Sequence, residues 1–419
     1  MKTLRFVPVL IFANAAAGVA PAAISLAEVF ARIEQQHPTL AARAATERAV
    51  EALAAQAALA PVPTLDLGVE NVLGTGRLQG VRSAELTVQA TRTWERGGKR
   101  EQRVAAATRT REGAAADTAA HRADLLAAGA AAYVAAAAAQ QRATLARVPV
   151  QLARESATAI ERRVQAGAAS QAELARARAE VALAETESLR VESAAANARA
   201  ALAATWGGGA PDQIAVPAAL RLPATLPDEA ALRARLDAHP RLAQQASSVA
   251  ARRAMLAVEQ SHAVPDLTAH GGLRLLREGT DLGFVAGVSV PLPSRSRNQG
   301  ALRAAREHIA AAEHSARAAG LDLHAQFGAA WLALVASHRT AAALRRDALP
   351  AVEAAHEAVR RGHEAGQLTL LEVIESRRAL GAVRADIAAA EATAAAALVR
   401  LDALTDRTFP LTHALFAAP

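Results

Sequence analysis

The chain combines two hydrophobic patterns, a short one with a period of two and a long one typical of helices. Apolar and polar residues alternate in four short segments, as in a strand with one apolar and one polar face. These segments predict strands at about residues 64–73, 83–93, 266–276 and 282–291. The helical segment after the second strand has about 68 residues and would be roughly 100 Å long. The predicted fold class is therefore mainly α with a smaller β portion.

The second half of the chain repeats the first half in the same order, as in a tandem repeat. The recurring landmarks are His37-Pro38 with His239-Pro240, Val62-Pro63 with Val264-Pro265, Pro149 with Pro350, and Gly167-Ser170-Glu173 with Gly366-Thr369-Glu372. Each repeat is predicted to be a helix, two strands, a long helix bent at its proline, a tip turn and a final helix. In the first repeat, the opening helix is expected to run from Ser25 to about Leu59.

The repeats and the proline-rich stretch between them define the predicted organisation of the chain. We expect a first repeat over 23–210 with its tip at about 164–170, and a second over 228–410 with its tip at about 363–369. The linker is expected over 211–227 and a C-terminal tail over 411–419.

Residues 1–22 have the pattern of a secretory signal. Lys2 and Arg5 precede an apolar run over 6–17, and Ala20-Pro21-Ala22 fits a cleavage site. The run is too short for a typical membrane-spanning helix, and no later segment has some 20 apolar residues free of charge. We therefore expect an exported chain without a membrane-spanning helix.

Composition narrows the possible chemistry. Aromatic residues make up only 3% of this alanine-rich chain, which favours long, closely packed helices. There is no cysteine, which excludes disulfides and thiolate metal sites. The net charge of +7 is dispersed along the chain and forms no basic patch. Export also argues against nucleic acid as a partner. The histidines are scattered, and no catalytic triad or phosphate loop is evident, so we expect no enzyme, no metal site and no cofactor.

The predicted strands are long enough to span a bilayer when tilted. Their alternation suits a barrel with lipid outside and water inside. Four strands cannot close a barrel, and open edges cannot face lipid. Strands from several copies are therefore expected to close one barrel. The alternative is a soluble antiparallel sheet packed on helices.

This ordered set of features resembles the TolC family of outer-membrane channel proteins over about residues 24–410. The resemblance rests on the tandem repeat, the Pro-x-Leu start of the first strand in each half, and the two glycine tips. The segments that resemble the branch serving heavy-metal cation efflux are Gly97-Gly98-Lys99-Arg100, Pro291-Leu292-Pro293 and Asn298-Gln299-Gly300. The resemblance implies a homotrimer with a twelve-stranded β-barrel in the outer membrane, continuous with an α-helical barrel in the periplasm.

The same resemblance implies a passive duct and its partners. A periplasmic adaptor and an inner-membrane pump, of the resistance-nodulation-division (RND) type, would dock at the helix tips, and lipid would surround the barrel. The favoured cargo is heavy-metal cations. The alternatives are a drug- or polypeptide-exporting duct of the same fold, or a non-conducting periplasmic coiled-coil scaffold.

The family places an acidic pair at the periplasmic aperture, and Glu372 and Glu375 match that position. Residues three apart share one helix face. Three copies would give two carboxylate rings that attract cations, and mutual repulsion should raise some of their pKa values. The alternative is two solvated glutamates on an exposed helix.

The family also closes its tips with polar links between neighbouring hairpins, and Glu173 and His363 match two such partners. A link between them would strengthen as histidine gains a proton, so the gate would be tighter in mild acid. The alternative is that His363 only caps its helix. Leu368 stands where the family has an arginine, so we expect a gate that is looser or is held by a different contact.

The tip residues are candidate contacts for the adaptor, because small side chains allow close backbone approach. They are Ala166, Gly167, Ser170, Ala365, Gly366 and Thr369.

Overall fold

The computed structural model of the chain describes residues 23–209, 214–292, 298–406 and 408–416. The predicted signal segment therefore lies outside the described residues. The structure also leaves out residues 211–213 of the predicted linker, Pro293 of the Pro291-Leu292-Pro293 segment and the last three residues of the predicted tail.

The elements of the described residues follow the order expected for two repeats. The first half contains α1 (Leu26–Gln36), α2 (Pro38–Ala57), β1 (Thr64–Glu70), β2 (Glu85–Trp94), α3 (Lys99–Gln165) and α4 (Gln171–Ala204). The second half contains α5 (Glu229–Ala234), α6 (Pro240–Ser261), β3 (Leu267–Leu276), β4 (Asp281–Ser289), α7 (Gln299–Ala343), α8 (Leu349–Glu364), α9 (Leu370–Thr405) and α10 (Pro410–Ala414).

The prediction of one opening helix up to Leu59 is wrong, because the helix is interrupted at His37, between α1 and α2. A proline disfavours the helical conformation of the residue before it, and His37 is extended with ψ 120°. Its Nδ1 accepts a hydrogen bond from Thr39 N at 3.2 Å. His239 caps α6 in the same way, with Arg241 N at 3.1 Å. The His-Pro pairs therefore start helices, which is a structural role.

The two long helices differ where each meets its proline. Helix α3 has 67 residues and continues through Pro149. In the second half, a π-helical turn over Leu344–Ala348 separates α7 from α8, and Pro350 lies in the first turn of α8. Proline removes the amide hydrogen that would bond the carbonyl four residues earlier. In the second half, the wider π-helical turn precedes the proline, whereas α3 stays α-helical through Pro149.

Helix α3 also contains an 18-residue window apolar enough to cross a membrane by length and composition. Inside the protein, 44% of that window is buried. The window therefore fits a core helix of a long bundle as well as a membrane span.

The strands form one antiparallel sheet in the order β1-β2-β3-β4. The connections over 71–84 and 277–280 lie at one end of the sheet, and the helices join at the other. The strands therefore project from one end of the helical bundle.

The two faces of the sheet have opposite character. One register row crosses all four strands as Leu67, Val88, Leu273 and Phe284, and Phe284 is 90% exposed. The next row is Gly68, Thr87, Arg274 and Gly283, on the opposite face. A wide apolar face left exposed is typical of a surface that contacts lipid or another protein.

The largest hydrophobic core lies where α1, α3, α4, α7 and α9 meet the C-terminal segment. Tyr133 is buried there, and its hydroxyl donates to the Ile24 carbonyl at 2.8 Å. The Tyr133 and Phe416 rings are 4.8 Å apart. Both ends of the described chain are therefore fixed in this core.

The segment predicted as a C-terminal tail is partly helical and packed. Asp402 of α9 is fully buried and accepts hydrogen bonds from Thr412 N at 2.6 Å and Thr412 Oγ1 at 2.7 Å. Leu411 N donates to the same carboxyl group at 3.3 Å. Helix α10 is therefore attached to α9 through one buried acid.

Replacing Asp402 by alanine should detach this segment. The substitution leaves the three donors of Leu411 and Thr412 without their acceptor, at a cost of roughly 1–3 kcal/mol for each donor that stays buried. We expect a lower apparent melting temperature of the detergent-solubilised protein and faster proteolysis after α9. Asp386→Ala, at an exposed site on α9, is the control. Equal melting temperatures for the two variants would contradict this role.

The same acid should make stability depend on pH. Burial raises the pKa of Asp402 from 3.8 to about 6, although the bonds from Thr412 and Leu411 oppose the shift. The folded state therefore binds this proton more tightly than the unfolded state. The stabilisation is complete below about pH 3.8 and is lost as pH rises through about 6. The melting temperature of the wild type, relative to that of Asp402→Asn, should fall over this window, and a constant difference would contradict the assignment.

Candidate functional site

The two helical hairpins, α3–α4 and α8–α9, end in turns of the same geometry. Gly167 and Gly366 have φ angles of 73° and 74°, a left-handed conformation that favours glycine. Each turn follows a helix end and leads into a capped helix start. The predicted tip contacts therefore lie at two equivalent, exposed turns.

Each tip carries a capping box at the start of its second helix. Ser170 N donates to Glu173 Oε2 at 2.8 Å, and Glu173 N donates back to Ser170 Oγ at 3.2 Å. Thr369 N and Thr369 Oγ1 donate to Glu372 Oε2 at 2.7 and 2.8 Å. Glu173 and Glu372 thus share the same local role.

The cap determines the charge state of Glu372. The hydrogen bonds from the Thr369 backbone and hydroxyl lower the pKa of this carboxyl, so within one chain the shift is opposite to the rise expected from ring repulsion. Glu372 therefore keeps its negative charge to a lower pH than an ordinary glutamate.

Glu375 lies one turn further along α9 and is exposed. The pKa of Arg378 is raised mainly by its hydrogen bond to Glu180, and the charge of Glu375 adds a smaller effect. The equivalent position in the first hairpin is Arg176. The second acid of the predicted pair is thus specific to the second hairpin.

The structure does not join Glu173 to His363 within the described chain. His363 Nδ1 donates to the Leu368 carbonyl at 2.9 Å, inside its own tip. Leu368 packs against Gly362, where an added Cβ would lie 2.6 Å from the leucine Cδ1. The residue that replaces the family's arginine therefore closes its own turn.

Other contacts join the two hairpins of one chain. Arg378 forms an ion pair with Glu180, with Nε 3.1 Å from Oε1. Arg377 Nη2 donates to Ser156 Oγ at 3.0 Å. Sequence reasoning missed these contacts, although Glu180 and Arg378 lie at almost equivalent positions of the two repeats and carry opposite charges.

An apolar contact lies closer to the tips. Leu370, at the start of α9, packs against a buried cluster that contains Ile160 of α3 and Leu174 of α4. The second hairpin is therefore seated on the first by both apolar and polar contacts.

Within the described residues, no group of three or more His, Asp or Glu side chains is arranged to hold a metal ion.

Comparison with known proteins assigns the family. The family model described as outer membrane efflux protein matches residues 29–208 and 231–406. The chain is 32% identical to the cobalt-zinc-cadmium resistance protein CzcC of Cupriavidus metallidurans over 325 residues, 78% of this chain and 76% of CzcC. It is 29% identical to the nickel-cobalt-cadmium resistance protein NccC of Alcaligenes xylosoxydans xylosoxydans over 277 residues, 66% of this chain and 62% of NccC.

The fold agrees with this assignment. The solved outer-membrane channel OprN superposes with a TM-score of 0.74 at 20% identity, over 91% of this chain and 89% of OprN. Efflux proteins of this family are non-enzymatic ducts of the outer membrane that extend into the periplasm, form trimers and work with adaptors and inner-membrane pumps. The chain belongs to the outer membrane efflux protein family, the TolC-like channels of the outer membrane.

Proposed function

We propose that three copies of this chain form one duct that releases divalent metal cations through the outer membrane. The sheet carries this proposal. Among the described residues, β1 and β4 each pair on one side only, and the apolar face is exposed. Unpaired edges cannot face lipid. Strand β4 of one copy therefore pairs with β1 of the next, and three sheets close a twelve-stranded barrel.

The proposed cargo follows from two observations. The relatives are named for resistance to cobalt, zinc, cadmium and nickel, which form divalent cations. The second tip adds an exposed acid, Glu375, one turn after a capping acid of lowered pKa, Glu372. Rings of carboxylates attract cations and repel anions, and conduction requires that the cation is bound weakly enough to leave.

Glu375 has the more specific role in this ring. Glu372 already stabilises the start of α9, as Glu173 stabilises α4. Glu375 takes no part in a cap, and the first hairpin has an arginine in its place. Glu375 therefore sets cation preference, and Glu372 contributes both charge and helix stability.

The proposed partners meet the tips. A periplasmic adaptor contacts the two glycine turns, and an RND-type pump supplies the energy. The Glu173–His363 link enters this proposal as a contact between neighbouring subunits, since the two side chains are not joined within the described chain. In the free subunit each of them is bonded within its own tip. Within one subunit, Arg378 and Glu180 hold the two hairpins together.

Single-channel recording tests the ring. In planar bilayers under a KCl gradient, Glu375→Gln should lower the ratio of potassium to chloride permeability by roughly a factor of two or more, because a ring of three charges is removed. Glu372→Gln should also lower the ratio. Its cap is weakened as well, because glutamine lacks the negative charge that favours the start of a helix.

Glu173→Gln is the matched control for the ring, because it weakens the same type of capping box without removing a ring charge. It also removes the acid of the proposed Glu173–His363 link, so only the permeability ratio of the open channel is compared. It should leave the permeability ratio unchanged. An unchanged ratio in Glu375→Gln would refute the ring. The absence of any current from the purified trimer would refute the duct itself and favour a scaffold.

A further inference from the structure

A charged network lies on the polar face of the sheet, next to the connection between β1 and β2. Arg274 Nη1 donates to Glu85 Oε2 at 2.9 Å, and its Nε donates to Thr87 Oγ1 at 3.0 Å. Its Nη2 lies 3.5 Å from Glu70 Oε2. Asn71 Nδ2 donates to the remaining oxygen of Glu85 at 2.8 Å. We call Glu70, Glu85, Thr87 and Arg274 the outer-mouth network.

The register explains why an arginine is needed here. Glu70 and Glu85 are directly opposite each other on β1 and β2. Like charges in this arrangement are destabilising. Arg274 is paired with Thr87 on the next strand, from which its guanidinium reaches both acids. Two carboxylates against one guanidinium leave the network with one negative charge per chain.

The network also has a defined place along the duct. Glu70 ends β1 and Glu85 begins β2, at the end of the sheet remote from the long helices. The long helices extend into the periplasm, so this end faces the exterior. The network lies on the face of the sheet opposite the exposed apolar row. In a membrane barrel this polar face lines the water-filled interior.

We propose that Arg274 sets the cation affinity of the outer mouth by offsetting one of the two facing acids. This inference rests on the proposed trimeric duct. In the trimer, the network is a ring of six carboxylates and three arginines, with three net negative charges. A weak ring lets a divalent cation pass, whereas six uncompensated carboxylates would retain it. Arg274 is therefore a specificity-determining residue at the exit, separate from the ring at the periplasmic tips.

Block by CoCl2, added on the barrel side of single channels in planar bilayers, tests this role. Arg274→Gln should lower the half-blocking Co²⁺ concentration by about threefold or more, because the ring loses three positive charges and its net charge becomes more negative. Glu70→Gln should raise that concentration. The double variant Arg274→Gln/Glu70→Gln restores the net charge and should return close to the wild type. Flanking charges are identical in all four proteins.

Two controls separate this role from a merely structural one. Arg274→Lys keeps the charge, so its half-blocking Co²⁺ concentration should equal that of the wild type, even if the heat resistance of the trimer falls. Co²⁺ added on the helical side meets the tip ring first, and its block should be the same in all variants.

Equal block in the wild type, Arg274→Gln and Glu70→Gln would overturn the inference and leave the duct intact. Loss of current in every protein, wild type included, would instead count against the proposed function. If Arg274→Gln does not assemble, Glu70→Gln and Arg274→Lys still decide the question.

Discussion

The structure depends on one constraint, namely that a sheet edge cannot remain unpaired in lipid. The sheet of one chain has an exposed apolar face and two edge strands, β1 and β4. In water such a sheet would aggregate, and in a bilayer its edges would lose several kcal/mol per unsatisfied backbone group. In the proposed trimer, closure with the other copies removes both problems at once. The long helices then continue from the closed sheets as a tube.

The two helical hairpins share one tip structure but differ in charge. Both tips use a left-handed glycine and a capping box, so their local chemistry is the same. They differ one turn beyond the cap, where Arg176 stands in the first hairpin and Glu375 in the second. The shared part folds the tip. The part that differs gives the second tip its acidic character, and Leu370 and Arg378 hold it against the first.

Much of the fold could be predicted because its signals are local. A period of two located all four strands to within a few residues, and the tip glycines and caps stand in the sequence beside the turns they make. The break at His37 could also have been predicted, since Pro38 follows it, but the helical pattern on both sides concealed it. The packing of α10 was missed, because the buried position of Asp402 depends on the meeting of distant elements.

The site was harder to predict for the same reason. The capping role of Glu372 follows from its spacing after Thr369, whereas the Glu180–Arg378 ion pair joins residues almost 200 positions apart. The outer-mouth network likewise depends on the pairing of β2 with β3 across the two repeats. A search for opposite charges within one residue of equivalent repeat positions would have found the first of these contacts. The second requires the register of the sheet.

The most direct test of the trimeric barrel uses the absence of native cysteine. Single cysteines at Asp66 or Gly68 of β1 can be combined with cysteines at Gly283, Val285 or Gly287 of β4, all on the polar face. Oxidation in intact outer membranes should link at least one combination into a covalent trimer, because β4 of each copy pairs with β1 of the next. If every combination yields only monomers, the sheets do not close one barrel and the account is wrong.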